Sequence, residues 1–416
     1  MRRGNWFSAF ASAAKMEGLQ AETREELAKL DDALYNIWHL GDNVLLGWTY
    51  VADRILVLSV RHYAIAESVH SAVSDASGKG QGPSVIDEVL SGPKYRPLQD
   101  FERICEAFER EPEAIRINLH AEYKSVATLI DDMVRCYGVT LVRDHAVMLL
   151  DIVGFSLRPP LDQMAMLNSL AYSVNSGYGQ LLSKDIKIDF ARTTTGDGFY
   201  IWNRETSAGA NTELFKLLMM ILADNAVAQR KARTSWVPKL RAAFHVGEHY
   251  EFQQVEGLNP TTFSYIVGQV TVDLARIVER ARPNQILLGD FAFRLDEGFS
   301  FGRGRRLDTP DFVESTAVTL DQLNGLDISG GEVMNIRCYL TGRSLGSGRY
   351  LVNRYHVRDK HGETRSVYNA KINIHLDKSD PIFLGMRTED LSDFETVKIE
   401  ALSRDAEETG SFVVRP

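Results

Sequence analysis

The chain has 416 residues, too many for one ordinary hydrophobic core, so two or three domains are expected. Its 25% charged and 44% hydrophobic residues are an ordinary globular balance, and a formal net charge of -9 without a long basic run excludes nucleic-acid binding through a basic stripe as the main task. Cys105, Cys136 and Cys338 are odd in number and far apart, which points to reduced thiols and a cytoplasmic setting rather than a disulfide framework or a Cys-based zinc site.

The opening Met-Arg-Arg has no apolar run behind it, so no secretory signal is expected. Residues 1–140 are expected to form a helical region. Positions 20–40 and 98–137 carry apolar residues at helical spacing, with Pro97 opening the second stretch and Pro112 breaking it in two. The most membrane-like segment, 43–66, is interrupted by Asp53, Arg54, Arg61 and His62. A bilayer span needs about 20 mainly apolar residues, so this segment is expected as a buried helix and no membrane partner is expected. Residues 74–83 are Gly/Ser-rich and read as a flexible loop. Nothing in this region suggests chemistry beyond a dimerisation or sensor module.

The texture changes after 140. Residues 145–155 form an apolar run ending in Asp151 and Gly154, as a buried strand feeding a site would. A helix is expected at 161–183. Strands are expected at 186–191 and 198–202, joined through Thr193-Thr194-Thr195-Gly196-Asp197. Then come a long amphipathic helix at 212–231, a strand at 240–246, a helix at 270–281 and a strand at 285–288. This β-α-β-β-α-β-α-β order contains a ferredoxin-like βαββαβ unit with additions, so the fold class is α+β. From about 333 the chain reads as β-rich, with 350–357 and 366–375 alternating around Asp359-Lys360-His361-Gly362 as a hairpin. No internal repeat or low-complexity tract is present.

Two carboxylates at neighbouring strand ends can hold two Mg²⁺ or Mn²⁺ ions, which bind a triphosphate, activate a hydroxyl and neutralise a leaving pyrophosphate. Asp151 follows a buried strand, Asp197 sits in a Gly-Asp-Gly turn, and Gly154 lets backbone amides approach phosphate. The series Leu150-Asp-Ile-Val-Gly-Phe-Ser156, Gly196-Asp-Gly198, Ala243-Phe-His-Val-Gly-Glu248, Tyr265-Ile-Val-Gly268, Arg276 and Pro283-Asn-Gln-Ile286 resembles the class III adenylate/guanylate cyclase domain. The resemblance implies conversion of a nucleoside triphosphate to a 3′,5′-cyclic monophosphate and pyrophosphate in active sites shared across a homodimer. It assigns metal binding to Asp151, Asp197 and the Ile152 backbone carbonyl, places Gly154 and Phe155 at the substrate, and makes Arg276 the transition-state arginine.

The departures are informative. The family's transition-state asparagine falls on Val272, with Asp273 beside it. Thr193, flanked by Arg192, and Tyr265 stand where purine cyclases carry their base-reading residues. A site built for one hydrogen-bond pattern rejects another, because mismatched groups stay buried and unpaired. Thr193 and Tyr265 suit a smaller ring, which leaves a pyrimidine substrate, UTP or CTP, open.

The stretch Val357-Arg-Asp-Lys-His-Gly362, Val367-Tyr-Asn-Ala-Lys-Ile-Asn373 and Ile382-Phe-Leu-Gly385 resembles the AGS-C sensor domain. Cyclase plus AGS-C is similar to the Pycsar anti-phage cyclases, whose cyclic UMP or cyclic CMP is read by a separate effector protein. The expected organisation is therefore a helical region at 1–140, a nucleotidyl cyclase domain at 141–330 and an AGS-C-like β-rich domain at 331–416. Two alternatives stand beside this expectation: a divergent adenylate or guanylate cyclase, and a catalytically degenerate nucleotide-binding module.

Overall fold

The segment expected as a buried helix at 43–66 is a hairpin. It is rich in β-branched and aromatic residues (Val44, Trp48, Thr49, Val51, Ile55, Val57, Val60), which suit a pleated strand. Ala52 turns the chain at φ 55°. Strand β1 (Asn43–Val51) pairs antiparallel with β2 (Arg54–Arg61), and β2 with β3 (Glu113–Arg116). Among the described residues, α1 (Ala21–Trp38), α2 (Val85–Leu90), α3 (Leu98–Ala107) and α4 (Tyr123–Cys136) accompany this sheet. Leu45, Trp48, Ile55 and Val57 pack with Leu27 and Leu34 of α1 and Ile130 and Val134 of α4. Val44, Leu46, Leu58 and Val60 pack instead with Val89 of α2 and with Phe101 and Ile104 of α3. Both faces are covered, so the strands read as a continuous apolar run that imitates a helix. The 1–140 region is thus mixed rather than helical throughout, and β3 follows Pro112 inside the stretch expected as two helices.

The computed structural model describes residues 19–65, 85–118, 123–205, 207, 209–256, 261–295, 305–328, 331–346, 349–360 and 362–391; the expected loop at 74–83 and His361 lie outside them. The chain divides into two compact units, residues 1–142 with 249–267, and residues 143–248 with 268–416.

The second unit is built on β4 (Val139–Ile152), α5 (Pro160–Leu182), β5 (Phe190–Thr194), β6 (Gly198–Asn203), α6 (Ala210–Lys231) and β7 (Leu240–Glu256). Their spatial order is β7-β4-β6-β5, the fourth, first, third and second strands of the unit. This is the expected ferredoxin-like arrangement, and the fold is α+β. Strand β7 is longer than the expected 240–246, and its distal residues pair with β8 (Thr261–Val267) inside the first unit. Helix α7 (Gln269–Arg280) leads to β9 (Ile286–Gly289), which lies parallel to β7. A small hairpin of β10 (Ala292–Leu295) and β11 (Arg305–Asp308) precedes α8 (Thr309–Thr319). Asp308 caps that helix by accepting from the Asp311 amide.

The remaining strands are β12 (Asp327–Ile328), β13 (Gly331–Leu340), β14 (Gly342–Gly346), β15 (Arg349–Val352), β16 (Arg354–Arg358), β17 (Thr364–Leu376) and β18 (Ile382–Gly385). They do not form the separate domain expected at 331–416. Strand β17 pairs with β9 from Val367↔Gly289 to Ala370↔Ile286, so the sheet runs on as β12-β13-β17-β9-β7-β4-β6-β5. Ala370, Ile372 and Ile374 enter the same hydrophobic core as Leu170, Val174 and Ile221 of the helices. The strand expected at 350–357 is broken at Asn353, and the expected hairpin turn is present between β16 and β17, where Gly362 adopts φ 86°.

Candidate active site

Residues Ala146–Leu150 of β4 are buried, and the strand delivers Asp151 at its end with 7% exposure. Opposite it in the β4–β6 ladder stands Gly198, where an added Cβ would overlap the Leu150 carbonyl. Only glycine allows this close approach. The turn entering β6 is organised by its threonines. The Gly196 amide donates to Thr194 Oγ1 at 3.0 Å, the Thr195 amide to the Gly198 carbonyl at 3.0 Å, and Thr195 Oγ1 to Asp197 Oδ1 at 3.3 Å. Gly196 sits at φ 99°, and the Ile152 amide donates to the Asp197 carbonyl at 2.9 Å. The backbone thereby ties Asp197 to the residue after Asp151.

The Asp151 carboxyl registers its surroundings. Burial pushes the Asp151 carboxyl above the usual carboxylate range; Arg241 opposes this, and the charge of Asp197 adds to it. Arg241 enters from the start of β7, donating from Nε to Asp151 Oδ2 at 2.5 Å and from Nη1 to the Glu279 carbonyl at 3.2 Å. Sequence reasoning missed this residue, although a lone cation in Leu240-Arg-Ala-Ala-Phe244 was the available signal.

Gly154 follows at φ 67° with open space where a Cβ would stand, and it leads into a short 3-10 turn, Phe155–Leu157. Phe155 packs against the core, and Gln163 Nε2 donates to the Phe155 carbonyl at 3.3 Å and to the Arg158 carbonyl at 2.9 Å. Ile152 has its side chain in the core.

This donor set fits a divalent cation shared with substrate phosphates. Among the described residues no group of three or more His, Cys, Asp or Glu side chains comes together, so a closed protein cage is not the pattern. Magnesium-type sites use one or two carboxylates and complete their shell with water and phosphate. Two adjacent carboxylates, one of them raised chiefly by burial and further by its neighbour's charge, meet that requirement.

The remaining expected site residues are more dispersed. Thr193 lies within β5 opposite Tyr200, not in the turn, and Arg192 stands over the Phe199 ring at 5.1 Å. Tyr265 belongs to the first unit, on β8, where its ring stacks on that of Phe252 at 5.9 Å. Arg276 lies on α7 with Nε 3.6 Å from Asp359 Oδ2 and Nη1 3.8 Å from Glu279 Oε2. Val272 is 45% exposed on the same helix. Asp273 accepts from Arg365 Nε at 2.7 Å and from Gln269 Nε2 at 2.9 Å, with His245 Nε2 3.9 Å away. Sequence reasoning missed Arg365 too, since nothing in an alternating strand marks one arginine as reaching another element.

No protein-family model matches the chain, and no curated protein matches it. Among solved structures it is similar to the guanylyl cyclase Cya2, at 12% identity over 55% of this chain and 92% of that one, with a TM-score of 0.30. It is also similar to the guanylate cyclase domain of RhGC from Catenaria anguillulae in complex with GTP, at 13% identity over 57% and 100%, TM-score 0.32. A third is the adenylyl cyclase CyaB from P. aeruginosa, at 12% identity over 58% and 97%, TM-score 0.29. At these identities and TM-scores the likeness fixes neither family nor activity, and the residues of the site carry that question. Among the described residues, no helix is long and apolar enough to cross a membrane.

Proposed function

We propose that the chain is a metal-dependent nucleotidyl cyclase that converts a pyrimidine nucleoside triphosphate, UTP or CTP, to its 3′,5′-cyclic monophosphate and pyrophosphate. The observation that carries this reading is the Asp151–Asp197 pair at the β4 and β6 ends of a ferredoxin-like sheet. Asp151, Asp197 and the Ile152 carbonyl would hold two Mg²⁺ or Mn²⁺ ions. When bound, these supply the charge that offsets the triphosphate and lowers the pKa of the attacking hydroxyl. Arg241 balances Asp151, and the open Gly154 turn gives phosphate room beside the backbone. Arg276 would stabilise charge developing at the α-phosphate, a role suited to a preorganised guanidinium.

Thr193 and Tyr265, in place of charged purine-reading groups, support the pyrimidine choice. The resemblance of the C-terminal hairpin to AGS-C supports second-messenger synthesis in anti-phage defence, in the cytoplasm, by a homodimer whose product a separate effector reads. The test is to incubate the purified chain with Mn²⁺ and each of the four nucleoside triphosphates separately. Cyclic UMP or cyclic CMP is the expected product. Preferential turnover of ATP or GTP would transfer the reading to a purine cyclase.

One observation favours a second reading, a degenerate nucleotide-binding module. Val272 exposes an apolar side chain at the asparagine position, while Arg276 is engaged with Asp359 and Glu279. Nucleotide binding without turnover of any of the four would support it.

A further inference from the structure

Helix α7 and the β16–β17 turn share a chain of alternating charges. Its order is Asp273, Arg365, Asp359, Arg276, Glu279. Arg365 donates from Nε to Asp273 Oδ1 at 2.7 Å, from Nη1 to Asp359 Oδ2 at 3.0 Å and from Nη2 to Glu363 Oε2 at 2.9 Å. The same Asp359 oxygen lies 3.6 Å from Arg276 Nε. Asp359 is rigidly placed. Its side chain is 3% exposed, its Oδ1 accepts from the Glu363 amide at 3.0 Å, its own amide donates to the Glu363 carbonyl, and its carbonyl accepts from the Gly362 amide. That leaves Oδ2 aimed at two guanidinium groups.

The geometry points to Asp359 and Arg365 as positioning residues for Arg276, by which the C-terminal hairpin sets the guanidinium that the cyclase reading assigns to the transition state. This inference rests on that reading. Two physical effects make the arrangement directional. First, Asp273 lies one turn from Arg276 on α7, and an uncompensated carboxylate there would repel a triphosphate. Gln269 is neutral and His245, the other ionisable group facing it, is kept toward its neutral form by burial, so Arg365 supplies the compensating charge. Second, Asp359 engages Arg276 through Nε and Glu279 stands 3.8 Å from Nη1, so the guanidinium is held from two sides while the side chain keeps 26% exposure. A long flexible side chain fixed this way loses less freedom when it meets phosphate.

The decisive variant is Asp359→Asn in the full chain, because the amide oxygen can still accept from Glu363 while the charge is gone. With whichever nucleoside triphosphate the wild type turns over, kcat is expected to fall about tenfold or more, with KM for nucleotide and the thermal midpoint little changed. Arg365→Leu should act in the same direction, and Lys360→Ala, an exposed neighbour in the same turn, should leave kcat at the wild-type level. Unchanged or raised kcat in Asp359→Asn would overturn the proposal, a rise meaning that Asp359 sequesters Arg276. A second arm reads the Nε–H resonance of Arg276 by NMR. It should shift in Asp359→Asn whether or not the protein has activity, and an unmoved signal refutes the placement. A wild type inactive with all four nucleotides but showing that shift would remove the cyclase reading and retain the clamp.

Discussion

Asp151 sits where burial and the charge of Asp197 both disfavour ionisation, so under the proposed function a proton and a divalent cation would compete for it. The apparent affinity for Mn²⁺ should therefore tighten as pH rises through the raised Asp151 pKa, then level off. Calorimetric titration of Mn²⁺ against the chain with a non-hydrolysable nucleotide measures this. Asp197→Asn removes one of the raising influences, so the remaining site should show its pH dependence at lower pH. A pH-independent affinity would dissociate Asp151 from the metal. Either Asp→Asn change is also expected to lower cyclisation by about a thousandfold, as removing a directly engaged charge does. Gly198 is a steric counterpart to these residues. Gly198→Ala drives a methyl into the Leu150 carbonyl and should cost about 3 kcal/mol of stability, read as a lowered denaturation midpoint. At this scale the sequence was most informative where chemistry and backbone constraint coincide: Asp, Gly and spacing announced both carboxylates. Arg241, Asp359 and Arg365 act through partners distant in sequence, and no local pattern encodes such pairings.

Elements were legible where one periodicity dominated. The helices at 160–182, 210–231 and 269–280 fall within two residues of their expected limits; the first and last have a single core-facing stripe, whereas 210–231, expected as amphipathic, is buried all round from Leu214 to Ala223. The β1–β2 hairpin failed for the opposite reason, since strands covered on both faces lose their alternation. Beneath that hairpin lies Lys94, fully buried, donating from Nζ to the Val139 carbonyl at 2.8 Å and to the Val89 carbonyl at 3.3 Å. Burial first, then Arg135 and Arg96, push its pKa down from 10.5 to about 7, against the pull of Asp131. Between those pH values the unfolded chain holds a proton that the folded chain has released. Stability should therefore rise with pH from about 7 toward 10.5, by at most about 1.4 kcal/mol per unit, and be lowest and flat in this respect below 7. Denaturant titrations at pH 7 and pH 9 should show the gain in wild type and its loss in Lys94→Met. Equal gains in both proteins would assign the slope to other groups.

On the scale of the whole molecule, the boundary expected near 330 was misplaced because a strand that completes a distant sheet looks, in sequence, like the start of a new domain. Since β17 covers β9 and contributes Ile372 and Ile374 to the core, a chain ending at 330 should not fold its second unit and should aggregate on expression. Self-association is the remaining question, and α5 bears on it. Its exposed positions are Pro160, Leu161, Met164, Asn168, Tyr172, Asn175, Gly179 and Leu182, with no charge among them, and Asp162 is the only charged residue in the helix. A solvated helix face normally carries charges, and a long uncharged face that exposes Leu161 by 62% and Tyr172 by 69% is suited to contact with another surface. The face begins at Pro160, directly after the Gly154–Leu157 turn, so a second copy seated there would lie next to the carboxylate pair. Sedimentation should give about twice the 46.7 kDa chain mass for wild type and one chain mass for the double variant Leu161→Glu, Tyr172→Glu. Cyclisation by the variant should fall with its dimer fraction and recover partly at high protein concentration. A monomeric wild type with full activity would confine the site to one chain and require Arg276 to act within it.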